Sequence, residues 1–205
     1  VHSSQSDARH FLGALTMAKR DDQPNAVDLI DGQQRVTTLF LFLYVLLSEY
    51  RSKRFADKAK KRPDALLRIL AYLNDDDEPT GSRLVLGEFN REFFQEFIID
   101  GHDKPDDERE QIKVSYQTKH EFAQNQAIYD AFNKMKLMVE ERLDCCQNEE
   151  DAYDYLKALH TCVLDRFEVV AMIVEEEADA FLIFETLNDR GLVLSAVDLI
   201  KNSIS

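Results

Sequence analysis

A polar pentapeptide, Asp31-Gly32-Gln33-Gln34-Arg35, runs without a spacer into the most apolar stretch of the chain, residues 36–47. Apolar side chains at Val36, Leu39, Phe40, Leu43, Leu46, Leu47 and Tyr50 recur at spacings of three and four, the period of a helix. Leu41, Phe42 and Val45 make its opposite side apolar too, and a helix apolar all round is buried on most faces. The run contains two threonines and falls short of the roughly 20 apolar residues a membrane span needs. It is therefore expected to be the central core helix, entered through a charged, glycine-containing loop.

The segments around it read as a mixed fold. Residues 10–19 (HFLGALTMAK, with Gly13 inside) and 26–30 (AVDLI) are expected strands. The turn composition RDDQPN between them predicts an antiparallel hairpin. Pro63 suits the first turn of a helix over 63–73, ended by Asn74 and the acidic residues after it. Residues 84–86 read as a short strand and 88–99 as a helix. Its Phe89, Phe93, Phe94 and Phe97 form a stripe better explained as core than as a cofactor box. Residues 100–111, DGHDKPDDEREQ, read as an acidic, exposed, mobile loop. Helices are expected over 118–143, 149–164 and 178–187. Residues 167–174, FEVVAMIV, give the strongest strand signal. Ser195-x-x-Asp198 opens a last helix in the manner of a capping box. The expected class is α+β, mainly helical: a small sheet packed on a central buried helix, then a helical bundle region. The expected division is 1–62 and 63–205, the two forming one continuous domain.

Composition narrows the chemistry. With 44% hydrophobic residues in 205, a proper core is available, and 6 Gly and 4 Pro imply few turns. The three cysteines, Cys145, Cys146 and Cys162, are odd in number and lack metal-site spacing, so reduced thiols in a cytoplasmic protein are expected. The five histidines form no metal-ligand pair. The chain opens on Val1 without a basic-then-apolar leader and is expected to be a segment of a longer protein. Net charge is −14. Residues 1–73 carry twelve Lys/Arg against eight Asp/Glu, net +4, and residues 74–205 carry thirteen against 31, net −18. A polyanion clamp is disfavoured by that repulsion. The basic run from Arg51 to Arg62 reads as a solvated helix end rather than a phosphate patch, because its only aromatic is Phe55.

The pentapeptide carries the site argument. A helix N-terminus presents backbone N–H groups without intrahelical partners, and the helix dipole adds partial positive charge. Gly32 permits a tight turn and close approach, and Arg35 adds a fork-shaped cation. Together these make an anion site with phosphate as the usual occupant. Asp31 reads as a Mg²⁺ ligand or as the group that orients Arg35, or else as a plain N-cap. Gln33 and Gln34 read as positioners of water or ligand oxygen, or as solvated first-turn residues. The turn at Asn188-Asp189-Arg190-Gly191, taken alone, reads as a C-cap followed by an N-cap.

LIDGQQRVTTL and, later, IFETLNDRGLVLSAVDLIKN together resemble the GmrSD-type restriction endonuclease N-terminal family. The first block spans Asp31 to Leu39 and the second Phe184 to Asn202, both unbroken. The resemblance implies a core similar to ParB and sulfiredoxin proteins, with nucleoside triphosphate bound or hydrolysed at the first block, and Mg²⁺ is the cofactor expected with it. It implies catalytic roles for Asp31, Gln33 and Gln34, metal contact by Asp31, and nucleotide contacts from Gly32, Arg35, Thr37, Asn188 and Arg190. It further implies service in bacterial DNA restriction or anti-phage defence, with DNA engaged through the full-length protein and no membrane partner. Family members often carry a following HNH-type nuclease domain and an upstream tryptophan-containing segment, whereas this chain has no Trp. The alternative from another class is a non-catalytic regulatory or scaffold domain. Its sign would be Arg35 paired internally with Asp31 or another carboxylate, with no open cleft beside Gly32.

Overall fold

The computed structural model describes residues 9–117 and 122–189, and these fall into two compact units. The described part of the first comprises residues 9–36 and 161–189, and the second is Thr37–His160. The second unit is thus inserted into the first, with its boundaries at Thr37 and His160. Mainly helical α+β architecture is observed, as expected.

The first unit is built on a three-stranded mixed sheet in the order β2-β1-β5. Strand β1 (His10–Lys19) forms the predicted antiparallel hairpin with β2 (Val27–Asp31), with Met17 opposite Leu29 and Thr16 opposite Asp31. On its other side β1 pairs in parallel with β5 (Phe167–Val174), which sits at the edge with Val169 and Ile173 exposed. A parallel pair cannot be closed by a tight turn. Here all of Thr37–His160 lies between the partners. The sheet is completed by α8 (Glu177–Asp189), whose Ala180 is fully buried and which packs on β1, β2 and β5.

Helix α1 (Gln33–Arg51) leads from the first unit into the second. From Leu41 to Tyr50 it is buried apart from Phe42 and Ser48, which are half-buried, as its all-round apolar pattern requires. In the second unit α2 (Ala56–Ala59) and α3 (Arg62–Leu70) follow. The expected helix over 63–73 stops at Leu70, because Ala71–Leu73 turns extended as β3 and pairs with β4 (Pro79–Ser82). Asn74 closes that hairpin: its side-chain oxygen accepts the amides of Asp76 and Glu78 at 3.0 and 2.8 Å. This Asx-type turn competes with helix continuation. Residues 84–86, read as a strand, are irregular.

Helix α4 (Glu88–Phe93) runs into a π-helical turn (Phe94–Ile99) that packs Phe93, Phe94, Phe97 and Ile98 into the core, while Phe89 is exposed. The mobile loop expected at 100–111 is corrected. Asp106–Tyr116 forms α5, with Asp106, Asp107 and Glu108 in its first turn, where the helix dipole favours acids. The connection before it is tied down by buried His102, whose Nδ1 donates to the Ile99 carbonyl at 2.8 Å while Nε2 lies 3.2 Å from Arg51 Nη1. Burial lowers the His102 pKa, which keeps the ring neutral and lets Nε2 accept from Arg51. Helices α6 (Phe122–Asp144) and α7 (Glu149–Arg166) complete the second unit, and α7 runs directly into β5.

The basic run is not one helix end. It crosses the end of α1, all of α2 and the start of α3. Three of its cations meet carboxylates: Arg51 with Asp103, Arg54 with Asp144, and Lys58 with Glu150. All three cysteines are free thiols, and among the described residues no helix is long and apolar enough to cross a membrane.

Candidate functional site

The Asp31–Arg35 loop sits where β2 ends and α1 begins, within the first unit. Gly32 occupies the N-cap position, and its carbonyl accepts the first helical hydrogen bond from Val36 N–H at 3.0 Å. Its φ of +94° is a conformation that side chains rarely adopt. A Cβ at Gly32 would collide with the Leu15 side chain, so the glycine also lets β1 pack tightly under the loop. The residue has no side chain to cap the helix. The amides of Gln33, Gln34 and Arg35, the first-turn donors, are left at the entrance.

Arg35 is turned back onto the sheet. Its Nη2 donates to Asp31 Oδ2 at 2.9 Å, and its Nη1 donates to the Ala14 carbonyl at 2.5 Å and, more weakly, to Leu12 at 3.4 Å. Those two carbonyls flank Gly13, which has φ +105° and lies beside a register shift in the β1–β5 pairing. A Cβ on Gly13 would overlap the guanidinium. A glycine inside a strand marks a bulge or a close approach, and here it marks both. Gly13, Leu12 and Ala14 thus belong to the site, although the sequence reading assigned them no role there. The isolated strand glycine was the available signal.

Both Asp31 oxygens accept a hydrogen bond: Oδ1 from the Gly32 amide at 2.7 Å and Oδ2 from Arg35. Gln33 folds back to donate to the Leu29 carbonyl at 2.8 Å, whereas Gln34 is exposed at the loop surface. Thr37 is half-buried in the second turn of α1. Thr16, opposite Asp31 in register, is fully buried with a hydroxyl lacking a partner among the described residues. Of the second block, Phe184–Asp189 forms the end of α8, the helix packed on β1 and β2. The Asn188 side chain and Arg190 lie outside the described residues.

The first block and the described part of the second, Phe184–Asp189, thus lie against one small sheet. The family model of the GmrSD restriction endonuclease, N-terminal domain, matches residues 2–205. The chain belongs to this GmrSD N-terminal family. Membership places the protein among restriction and defence systems. No curated protein matches the chain. In this GmrSD domain the first block is structurally a latch: Arg35 fastens the mouth of α1 to the bulge of β1 through one carboxylate and two carbonyls. Among the described residues no three His, Cys, Asp or Glu side chains converge as a metal cage.

Proposed function

We propose that the Asp31–Arg35 loop is the nucleotide-phosphate site of a cytoplasmic restriction or defence protein, with the bound nucleoside triphosphate controlling a DNA-cleaving activity of the full-length protein. The observation that carries this reading is the uncapped entrance of α1 behind Gly32, fixed in place by Arg35. Backbone donors at a helix N-terminus, held rigid, suit an incoming phosphate. Each charge-assisted hydrogen bond is worth about 1.5–3 kcal/mol, against association costs of about 4 kcal/mol or more. The loop therefore needs help from base or ribose contacts, and Thr37, Asn188 and Arg190 are the proposed sources.

In this reading Arg35 is first a positioning residue. A phosphate at the entrance competes with Asp31 for Nη2 and draws the guanidinium outward, while Nη1 stays on the Ala14 carbonyl. Asp31, once released, accepts a proton from a water that Gln33 and Gln34 orient, as that water's oxygen bonds to the terminal phosphorus and the bond to the departing nucleoside diphosphate breaks. Each Asp31 carboxylate oxygen accepts a single hydrogen bond in the latched arrangement, which leaves lone pairs through which Asp31 would hold Mg²⁺ beside the phosphate.

Titration of the full-length protein with a fluorescent ATP or GTP analogue tests the proposal. The expected result is saturable binding that Arg35→Ala weakens at least about tenfold, or about 1.4 kcal/mol. Equal affinity in both proteins would remove the assigned role.

A second reading is favoured by the same latch. Arg35 paired with Asp31 is the arrangement expected of a non-catalytic regulatory or scaffold domain that keeps the loop for folding. In that case Arg35→Ala lowers stability and leaves nucleotide titrations flat in both proteins.

A further inference from the structure

Within the first unit, one face of the sheet leads from the Asp31–Arg35 loop to a crevice at the end of β1. Alternate residues of a strand share a face. The register sets Gly13 beside Val169, Leu15 beside Ala171 and Met17 beside Ile173 on one side of the sheet. Thr16 and Ala18, on the other side, are buried. The first side is open: Val169, Ala171 and Ile173 are exposed, and Leu15 and Met17 are only half-buried. Gly32 lies over Leu15, because a Cβ there would run into the Leu15 Cδ2. Arg35 covers the Gly13 end, since its guanidinium takes the place of a Gly13 side chain. A ligand held at the entrance of α1 therefore extends the other way, over Met17 and Ile173 toward Lys19.

At that end lies a cavity of about 710 Å³, inside the range of about 300–1,000 Å³ typical of ligand pockets. It sits at the carboxyl ends of β1 and β5, the parallel pair, which is where open sheets of parallel strands bind ligands. Its lining holds six carboxylates against two cations, Lys19 and Arg20. That excess repels phosphate and favours hydrogen-bond donors. Arg20 is spent on Asp22 and Asp28. Lys19 Nζ donates to Glu175 Oε1 at 2.5 Å, and both side chains remain more than half exposed. The pair sets an ammonium donor next to a carboxylate acceptor, and each has further hydrogen bonds to make.

We infer that this face is the base subsite of the phosphate-binding loop, and that the Lys19–Glu175 pair reads guanine. The inference rests on the phosphate reading of Asp31–Arg35. Leu15 and Lys19 lie roughly 13 Å apart along an extended strand, a separation that a nucleoside triphosphate spans from terminal phosphate to base edge. Guanine lies flat on Met17 and Ile173. Its O6 accepts from Lys19, and its N1–H and 2-amino group donate to the Glu175 carboxylate. Adenine carries an amino group in place of O6 and a bare N1 in place of N1–H, so it sets donor against Lys19 and acceptor against Glu175. Charge fixes the direction of the ligand: the phosphates stay with Arg35 and the first-turn amides of α1, and the donor-bearing base faces the carboxylates.

Titration of the full-length protein with ribose-labelled fluorescent analogues of GTP and ATP tests the subsite. GTP is expected to bind at least about tenfold more tightly than ATP. That comparison needs no variant to fold. Glu175→Ala, at an exposed position, brings GTP down to the affinity of ATP. Ile173→Asp, also exposed, removes the apolar floor and weakens both nucleotides at least about tenfold. Equal affinity of the unaltered protein for GTP and ATP, or a GTP preference that survives Glu175→Ala, overturns the base subsite. If Arg35→Ala still weakens binding in that case, the phosphate reading of the loop stands without it. Absence of saturable binding by either nucleotide overturns both.

Discussion

Arg35 and Gly13 occupy each other's space: the guanidinium of one lies where the other would carry a side chain. This pairing across the hairpin explains two residues at once. The strand tolerates a glycine because the arginine fills its place, and the arginine reaches the strand carbonyls because the glycine leaves them open.

Gly13→Ala is therefore expected to destabilise the protein by about 1–3 kcal/mol through collision and through the positive φ. Urea denaturation measures it. Part of that cost should disappear in an Arg35→Ala background, where the collision is gone and only backbone strain remains. A fully additive double mutant would show that the two residues do not compete for one space.

Asp31→Asn separates latch from chemistry. Asp31 and Arg35 are each about one-third exposed, so losing the ion pair should cost only about 0.2–1 kcal/mol. If the loop takes phosphate, nucleotide binding should be retained, since Arg35 loses a competitor, while turnover falls. Loss of binding together with turnover would mean that Asp31 itself holds the ligand.

Thr16→Val replaces a fully buried hydroxyl that has no partner among the described residues. Removing an unsatisfied polar group at constant shape is expected to be neutral or to stabilise by about 1 kcal/mol. A thermal or chemical melt that instead shows a loss above about 1 kcal/mol would reveal a hydrogen bond to this hydroxyl.

Glu49, on α1 within the second unit, should give stability a pH dependence. Burial, with Glu140 and Asp144 nearby, raises its carboxyl from 4.5 to about 7 against the opposing pull of Lys136 and Arg54. The folded state thus holds a proton that the unfolded chain gives up. Its contribution is fully present below about pH 4.5 and is lost as pH rises through about 7. A shift of that size corresponds to at most about 3 kcal/mol. Glu49→Gln should flatten this part of the profile and raise stability at pH 8. An unchanged slope between pH 5 and 8 would refute the assignment.

Local pattern carried much of this structure. Strand β1 begins and ends where its sequence pattern places it, and the helix behind Gly32 is buried as its all-round apolar surface demands. What the pattern could not convey were choices settled by partners distant in sequence. The apolar spacing of Ala71–Leu73 fits a helix, yet pairing with Pro79–Ser82 and the turn at Asn74 made it a strand. The acidic composition at 106–108 suggested a loop until the helix dipole is counted. At the site, Gly32 and Arg35 were legible as a turn and a cation. That Arg35 would spend its donors on Asp31 and on the carbonyls beside Gly13 depends on a fold no spacing rule encodes.

Parallel pairing of β1 with β5 sets the order in which this domain can mature. During synthesis the hairpin bearing the Asp31–Arg35 loop leaves the ribosome early, but the flank of β1 that receives Phe167–Val174 stays bare until all of Thr37–His160 has followed. Any shortened version ending before residue 167 would display that open flank, a ready template for unwanted strand addition. Expression boundaries chosen for this domain must therefore reach past Val174, whatever activity they aim to isolate.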